Sequence, residues 1–337
     1  MRKNIFGKVL LSAALALLFI ACTKDEETNR KVAVLLPDAG IIDRWATDKA
    51  NLETVLGKYN FSTTVYTAPE TTEGALLQVE QLRKAIQDGA KYIVLTAIDY
   101  TKINESGLLA QHPDVKVVCH DRFVLDNPNI AYISSAATKY IGYMQAQFLL
   151  NHFHSSGASS MTIELLEGPD TDMNAKDFYE GAMELLKKYI NSGELVVVSG
   201  KKEYSQVKAA SWNIADGKKA MKDRLNSYST GQRPDMVLAA NDNLAQGAIE
   251  ALSEAGFTDM PVITGQDNTA MAQSNIKSGK QAMTIDKNLE DMAYNTAMII
   301  NSLISGTPVQ SSQSIPVGSV NIPVFYSMIT LMTIDSY

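Results

Sequence analysis

The chain has 337 residues, enough for two domains of ordinary size, and its 45% apolar and 20% charged residues can build a core without staples. A formal net charge of −7 argues against nucleic acid as a partner, because gripping a phosphate backbone needs a basic face. Four scattered histidines and two distant cysteines give no metal-ligand spacing, and no cofactor is expected.

The first residues read as a targeting segment. "MRKNIFGK" is a basic start, and Val9 to Ala21 is an apolar run about the length of a signal-peptide core and short for a membrane span. Cys22 follows at once. "LFIAC" resembles the lipobox at which bacterial lipoproteins are cut and lipidated, although Phe19 stands where Leu is commoner; an ordinary secretory signal with an incidental cysteine is the alternative. Residues 1–21 are therefore expected to be a signal peptide, Cys22 to carry a lipid anchor into a membrane, and 22–30 to form a polar tether. "CTKDEETN" resembles the export signal of surface lipoproteins and reads equally as a solvated linker. The expected location is the cell envelope, on the periplasmic side of a membrane or on the outer-membrane surface. Cys119 is then the remaining thiol of the mature chain, so no intrachain disulfide forms.

From Lys31 onward strands and helices alternate. "KVAVLLPD" is an apolar strand. "RWATDKANLETVLGKYN" is helical, with Trp45, Leu52, Val55 and Leu56 on one face. "FSTTVYTA" is a strand and "EGALLQVEQLRKAIQDGA" an amphipathic helix. "KYIVLTAID", "VKVVCHDRF" and "IAYISS" are strands, with a helix in "TKINESGLLAQHPD". A second series follows. Helices in "KYIGYMQAQFLLNHFH", "NAKDFYEGAMELLKKYIN", "ASWNIADGKKAMKDRLNSY" and "AQGAIEALSEAGF" alternate with strands in "SMTIELLEG", "LVVVSGK", "PDMVLAAND" and "MPVITGQD". After a short helix, "KQAMTIDK" is a strand, "LEDMAYNTAMIINSLISG" the last long helix, and "NIPVFYSMITLMTIDSY" a final strand passage. Strands separated by helices of this length form parallel sheets through βαβ crossovers. The fold class is α/β, with two similar lobes, each a parallel sheet flanked by helices.

Several strands end in the same chemistry: Asp38; Asp121 and Arg122; Asn241 and Asp242; Asp267 and Asn268. In open parallel sheets ligands bind beyond the carboxyl ends of the strands. Carboxylates that accept and guanidiniums that donate through a rigid fork suit a sugar, whose adjacent hydroxyls do both. Trp45 and Trp212, the only tryptophans, stand near the expected rim, though Trp45 on an amphipathic helix also reads as core. Asp38 and Asp99 read as helix caps, as does Asp242, which would free Asn241 for a ligand.

The order and wording of these segments resemble the periplasmic sugar-binding proteins of ABC transporters with the type I fold, nearest the D-xylose-binding and multiple-monosaccharide-binding branch. The stretches that carry the resemblance are "DRWATDK", "CHDRF", "DMNAKDFYEGAMELLKKYINSGELVVV", "NDNLAQGAIEALSEAGF" and "GQDNTAMAQSNIKSGKQAMTIDK". It implies two lobes joined by a three-segment hinge, with 31–132 and 287–318 in the first lobe and 133–286 and 319–337 in the second. By the same resemblance Arg44, Trp45, Asp121 and Arg122 would meet a monosaccharide from the first lobe. Asn174, Trp212, Asn241 and Asp267 would meet it from the second, with Asp172 a weaker candidate, and Lys287 would donate from a hinge crossing. The chain departs from the pattern at Ser134 and Ser135, where the family commonly has Asp-Asn.

The function expected is a non-catalytic, monomeric receptor for a xylose-like pentose or a hexose, handing it to an ABC permease or reporting it to a membrane sensor kinase. A glycan-active enzyme using Asp121 and Asp267 as paired carboxylates is the weaker reading. A sugar-responsive repressor is excluded, because a signal segment stands where a helix-turn-helix would be. His120 is left open between support for Asp121 and solvent exposure.

Overall fold

The structure is a computed structural model and describes residues 30–311, 313–317 and 320–337; the signal segment, Cys22 and nearly all of the tether lie outside the described residues. The first lobe opens with β1 (Lys31–Pro37), α1 (Arg44–Lys58), β2 (Ser62–Ala68), α2 (Thr72–Gln87) and β3 (Tyr92–Leu95). Two short helices follow, α3 (Tyr100–Glu105) and α4 (Leu108–Gln111), then β4 (Lys116–His120) and β5 (Ile130–Ser135). The break between α3 and α4 falls at Gly107, whose φ of 63° is left-handed and comfortable for glycine alone. The second lobe contains α5 (Thr138–Ser156), β6 (Met161–Leu166), α6 (Met173–Ser192), β7 (Leu195–Val196), α7 (Tyr204–Val207), α8 (Ile214–Leu225), β8 (Met236–Ala239), α9 (Asp242–Glu254), β9 (Val262–Ile263), α10 (Ala270–Lys277) and β10 (Thr284–Asp286). The chain ends with α11 (Leu289–Ser305), β11 (Ser314–Val317), β12 (Val320–Tyr326) and β13 (Thr330–Met332).

Two sheets organise the lobes. The larger has the order β11-β12-β5-β4-β3-β1-β2, parallel throughout except for the β11–β12 hairpin. The smaller is parallel, in the order β7-β6-β8-β9. The central strands β3, β6 and β8 are apolar along most or all of their length, as strands covered on both faces must be. Helix α11 returns to the first lobe, where Ala293, Ala297 and Ile300 join Val32, Val34, Leu36 and Leu52 in one buried cluster.

Two of the three crossings between lobes fall later than the sequence suggests, while the second, after Asp286, falls where it is expected. β5 pairs with β4 as far as Ser134, so the first crossing follows Ser135 and does not fall at 132/133. β12 pairs in parallel with β5, Val324 opposite Ile133 and Tyr326 opposite Ser135. Residues 320–326 therefore complete the first lobe's sheet rather than the second, and only β13 returns, antiparallel to β10. The tail, expected as one strand passage, is two strands, and the backbone changes sheets between them at Ser327. The three crossings touch at that residue: Ser327 N–H donates to Ser135 O at 2.8 Å, and its hydroxyl to Lys287 O at 3.0 Å.

Candidate ligand pocket between the lobes

One narrow pocket gathers all nine of the predicted contact residues: Arg44, Trp45, Asp121, Arg122, Asn174, Trp212, Asn241, Asp267 and Lys287. All but Trp212, which lies in the loop before α8, come from the carboxyl end of a strand or the start of the helix that follows it, the place where parallel sheets present ligands. Asp121 and Asp267, just beyond β4 and β9, sit at φ 65° and 99°, where few residues other than glycine, asparagine and aspartate are found. Hydrogen bonds hold both in place. Asp121 N–H donates to Ser134 O, and its carbonyl accepts from Ser135 Oγ and Asn174 Nδ2. Asp267 N–H donates to Ile285 O.

At the floor two cations and two carboxylates alternate around a ring. Arg44 reaches Asp121 at 3.1 Å and Asp267 at 3.2 Å. Lys287 reaches Asp267 at 2.8 Å and Asp121 at 3.6 Å. All four contacts use Oδ1 of the carboxylates, which leaves Oδ2 of each for a ligand hydroxyl. Burial opposes charge on Asp121, but Arg44, Lys287 and Arg122 outweigh it and hold the carboxyl well below the usual range. Asp267 is lowered in the same way by Lys287 and Arg44. Burial likewise works against Arg44, and the charges of Asp121, Asp48 and Asp267 overcome it.

Above the ring a chain of contacts bridges the lobes. Trp45 Nε1 donates to Glu70, Glu70 pairs with Arg122 at 2.6 Å, and Arg122 Nε lies 2.8 Å from Asp172. Asp172 in turn accepts from Trp212 Nε1 at 3.1 Å. The Arg122 Nε contact has the distance of an ion pair without the alignment of a hydrogen bond, so charge rather than direction holds it. Both tryptophans are buried, Trp45 at 2% exposure and Trp212 at 5%, so they line the interior rather than the rim. Trp45 is at once core and pocket wall, and the guanidinium carbons of Arg44 and Arg122 stand 4.3 and 5.1 Å from its ring centre. Trp212 meets Phe178 edge to face, and Gly168 leaves it room: a Cβ there would fall 2.1 to 2.6 Å from three indole carbons.

Several expectations are corrected. Asn241, not Asp242, caps α9: its backbone is extended and Oδ1 accepts from Leu244 N–H at 2.9 Å. Its amide NH2 is what remains for a ligand. Asp242 is already helical and buried, accepting from Thr269, Gln281 and Thr284 as a knot inside the second lobe. Asp38 closes a turn onto Gly40 N–H instead of capping α1, whereas Asp99 does cap α3 through Thr101. His120 is buried behind the pocket. Nδ1 lies 2.8 Å from Thr296 Oγ1 and Nε2 3.3 Å from Asp48, and the Nε2–H tautomer satisfies both contacts. Asp48 then holds Arg44 through Nε and NH2, so His120 supports Arg44 rather than Asp121. Cys119 is fully buried in β4, where burial pushes its thiol up to about 12.

Sequence reasoning missed Gln266, Glu70 and Asp48. Gln266 lines the pocket with Oε1 buried and unpartnered among the described residues, as is Oδ1 of Asn174. It stands next to Asp267 at the same strand end, which was a usable signal. Asp48 lies four residues after Arg44 on a helix, another such signal. Glu70 meets Arg122 across 52 positions of chain, and nothing local announces it.

The periplasmic binding protein domain matches residues 32–308, most of the chain. The chain belongs to the periplasmic binding protein family. This binding protein is 31% identical over 268 residues to the multiple sugar-binding periplasmic receptor ChvE of Rhizobium radiobacter, covering 78% of this chain and 75% of the receptor. It is 28% identical over 246 residues to the D-xylose-binding periplasmic protein of Escherichia coli strain K12, covering 73% and 70%. Among solved structures, an ABC transporter solute-binding protein from Clostridium phytofermentans with bound β-D-glucose superposes with a TM-score of 0.85 at 26% identity, over 91% of this chain and 95% of that one. The two-lobed type I α/β fold and the family resemblance read from the sequence both hold.

Proposed function

We propose that this chain is a lipid-anchored extracytoplasmic receptor that binds a neutral monosaccharide, a xylose-like pentose or a hexose, between its lobes and delivers it to an ABC-type permease. The observation that carries the reading is the composition of one pocket. An alternating ring of two cations and two carboxylates faces two buried amide oxygens, Asn174 Oδ1 and Gln266 Oε1, that have no protein partner among the described residues. Buried acceptors of this kind are costly unless a ligand donates to them, and sugar hydroxyls donate. Neutral sugars are favoured over anionic ones because each cation already faces two or more carboxylates: Arg44 faces Asp48, Asp121 and Asp267; Arg122 faces Glu70 and Asp172; Lys287 faces Asp121 and Asp267. The sugar-binding relatives support the same ligand class.

The pocket measures about 20 Å³, room for about one water molecule. A sugar ring therefore needs the lobes to stand further apart than they do here, parting about the crossings joined at Ser327. The charges in the pocket favour a receptor over a glycosidase. Asp121 and Asp267 are lowered by the cations beside them, which disfavours either as a general acid. Burial pushes Asp172 up, but its oxygens accept from Asn174 N–H and Trp212 Nε1–H and face Arg122. The lipid anchor rests on Cys22 and the apolar run before it.

Both tryptophans of the chain line the pocket, so intrinsic fluorescence reports on it directly. Titration with a panel of neutral pentoses and hexoses is expected to give a saturable change in emission with at least one of them. Correctly folded protein whose emission responds to none would sink the monosaccharide reading.

A further inference from the structure

Beside the narrow pocket lies a second chamber of about 340 Å³, a size at which small ligands are held. Its walls come from both lobes, Glu70, Thr72 and Glu73 on one side and Pro169, Ala210 and Asp216 on the other. It shares Arg122, Asp172 and Trp212 with the inner pocket, so the two spaces meet at the Arg122–Asp172 pair. The division between them is made by side chains, the contacts that run from Trp45 through Glu70, Arg122 and Asp172 to Trp212.

The lining selects among ligands. Two helices begin at this chamber, α2 capped by Thr71 and α8 capped by Asn213. Each also carries an acid in its first turn, Glu73 and Asp216. Those carboxylates offset the positive helix ends, and Arg122 is already shared by Glu70 and Asp172, so an anion gains little. Acceptors, hydroxyls of Thr72 and Thr171, and the apolar surfaces of Ile98, Ala75 and Trp212 remain. That mixture suits a neutral ring with hydroxyls on its edge and C–H groups on its face.

We infer that the outer chamber is a second sugar subsite, and that the protein accepts a disaccharide or glycoside whose first unit lies in the inner pocket and whose second passes beside Arg122 into the chamber. The inference rests on the monosaccharide reading of the inner pocket and extends its ligand class. A second unit would touch both lobes at once, and contacts available only in the closed arrangement favour closure.

Calorimetry separates the two readings. Each monosaccharide that binds is compared with its methyl glycosides and its disaccharides, on the wild-type protein and on Thr72→Trp and Ala210→Trp. Both substituted positions are exposed and lie outside the inner pocket. At least one disaccharide is expected to bind within about tenfold of its free sugar, and either indole to weaken it about 100-fold by steric exclusion while the free sugar changes less than about threefold. Free sugars that bind while every methyl glycoside and disaccharide fails would overturn the subsite and leave the inner pocket intact. Disaccharide binding indifferent to both indoles would also overturn it, and failure of all ligands would overturn both readings.

Discussion

Asp121 and Asp267 hold left-handed backbone conformations that cost an aspartate roughly 1–3 kcal/mol each, and both carry the carboxylates at the heart of the pocket. Such strain persists where surrounding bonds over-determine it, and here those bonds run to Ser134, Ser135, Asn174 and Ile285. Positioning also reaches outward to residues with no place in the pocket. Gly168→Ala would drive a methyl into the Trp212 ring, so it is expected to weaken ligand binding tenfold or more, equivalent to about 1.4 kcal/mol, while the fold survives. Titration of the variant beside a thermal melt checks this; unchanged affinity would mean that Trp212 does not shape the site. At this scale the chemistry that recurs at strand ends marks Asp121, Arg122, Asn241 and Asp267, whereas Arg44, Asn174 and Lys287 are named only through the family resemblance. The sequence misassigned Asn241 and Asp242 because either can cap a helix, and the choice depends on which backbone is still extended. Glu70 was invisible because its meaning lies in Arg122 and Trp45, both distant in sequence.

Among the elements, strands and helices were legible because their apolar periods are long, whereas the crossings were not. A strand that continues two residues before leaving the sheet has the same pattern as one that stops, and only pairing partners fix where β5 and β12 belong. Helix contacts were equally hidden. A Cβ at Gly142 would meet Phe178 O at 1.9 Å and one at Gly181 would meet Lys139 O at 1.8 Å, so α5 and α6 approach through paired glycines. α6 also carries Asn174 in its first turn. Gly181→Ala is expected to push the helices apart at a cost of about 1–3 kcal/mol, read as a lower urea midpoint at constant slope. A midpoint equal to wild type would show that the pair tolerates a wider spacing.

Over the whole molecule, buried carboxyls of opposite character set how stability depends on pH. Asp242 is pushed up to about 7 by burial and then by the charge of Asp267, and Glu167 is raised well above its ordinary value by burial. Such groups bind more protons folded than unfolded, so their contribution grows as pH falls from about 7 toward the ordinary carboxylate range near 4. Asp121 and Asp267 act in the reverse sense. Their stabilisation is present above the ordinary carboxylate range and is lost as pH falls through their depressed native values. The melting temperature is therefore expected to peak in mildly acidic buffer, near pH 5 by these ordinary values, and to fall on both sides. A scan from pH 3 to pH 8 that rises throughout would contradict the assignment of Asp242 and Glu167.

On the proposed reading, the lobes, their joined crossings and the polar ring between them act as a clamp for a neutral sugar. Calorimetric titration of the same pentose and hexose panel into wild type and Asp267→Asn tests this most directly. The asparagine keeps the shape and tolerates the left-handed backbone but removes the charge that Arg44 and Lys287 face. The expected result is one-to-one binding of at least one sugar to wild type, weakened in the variant by about 1.5–3 kcal/mol. Binding of equal strength to both proteins, or to neither, would contradict it.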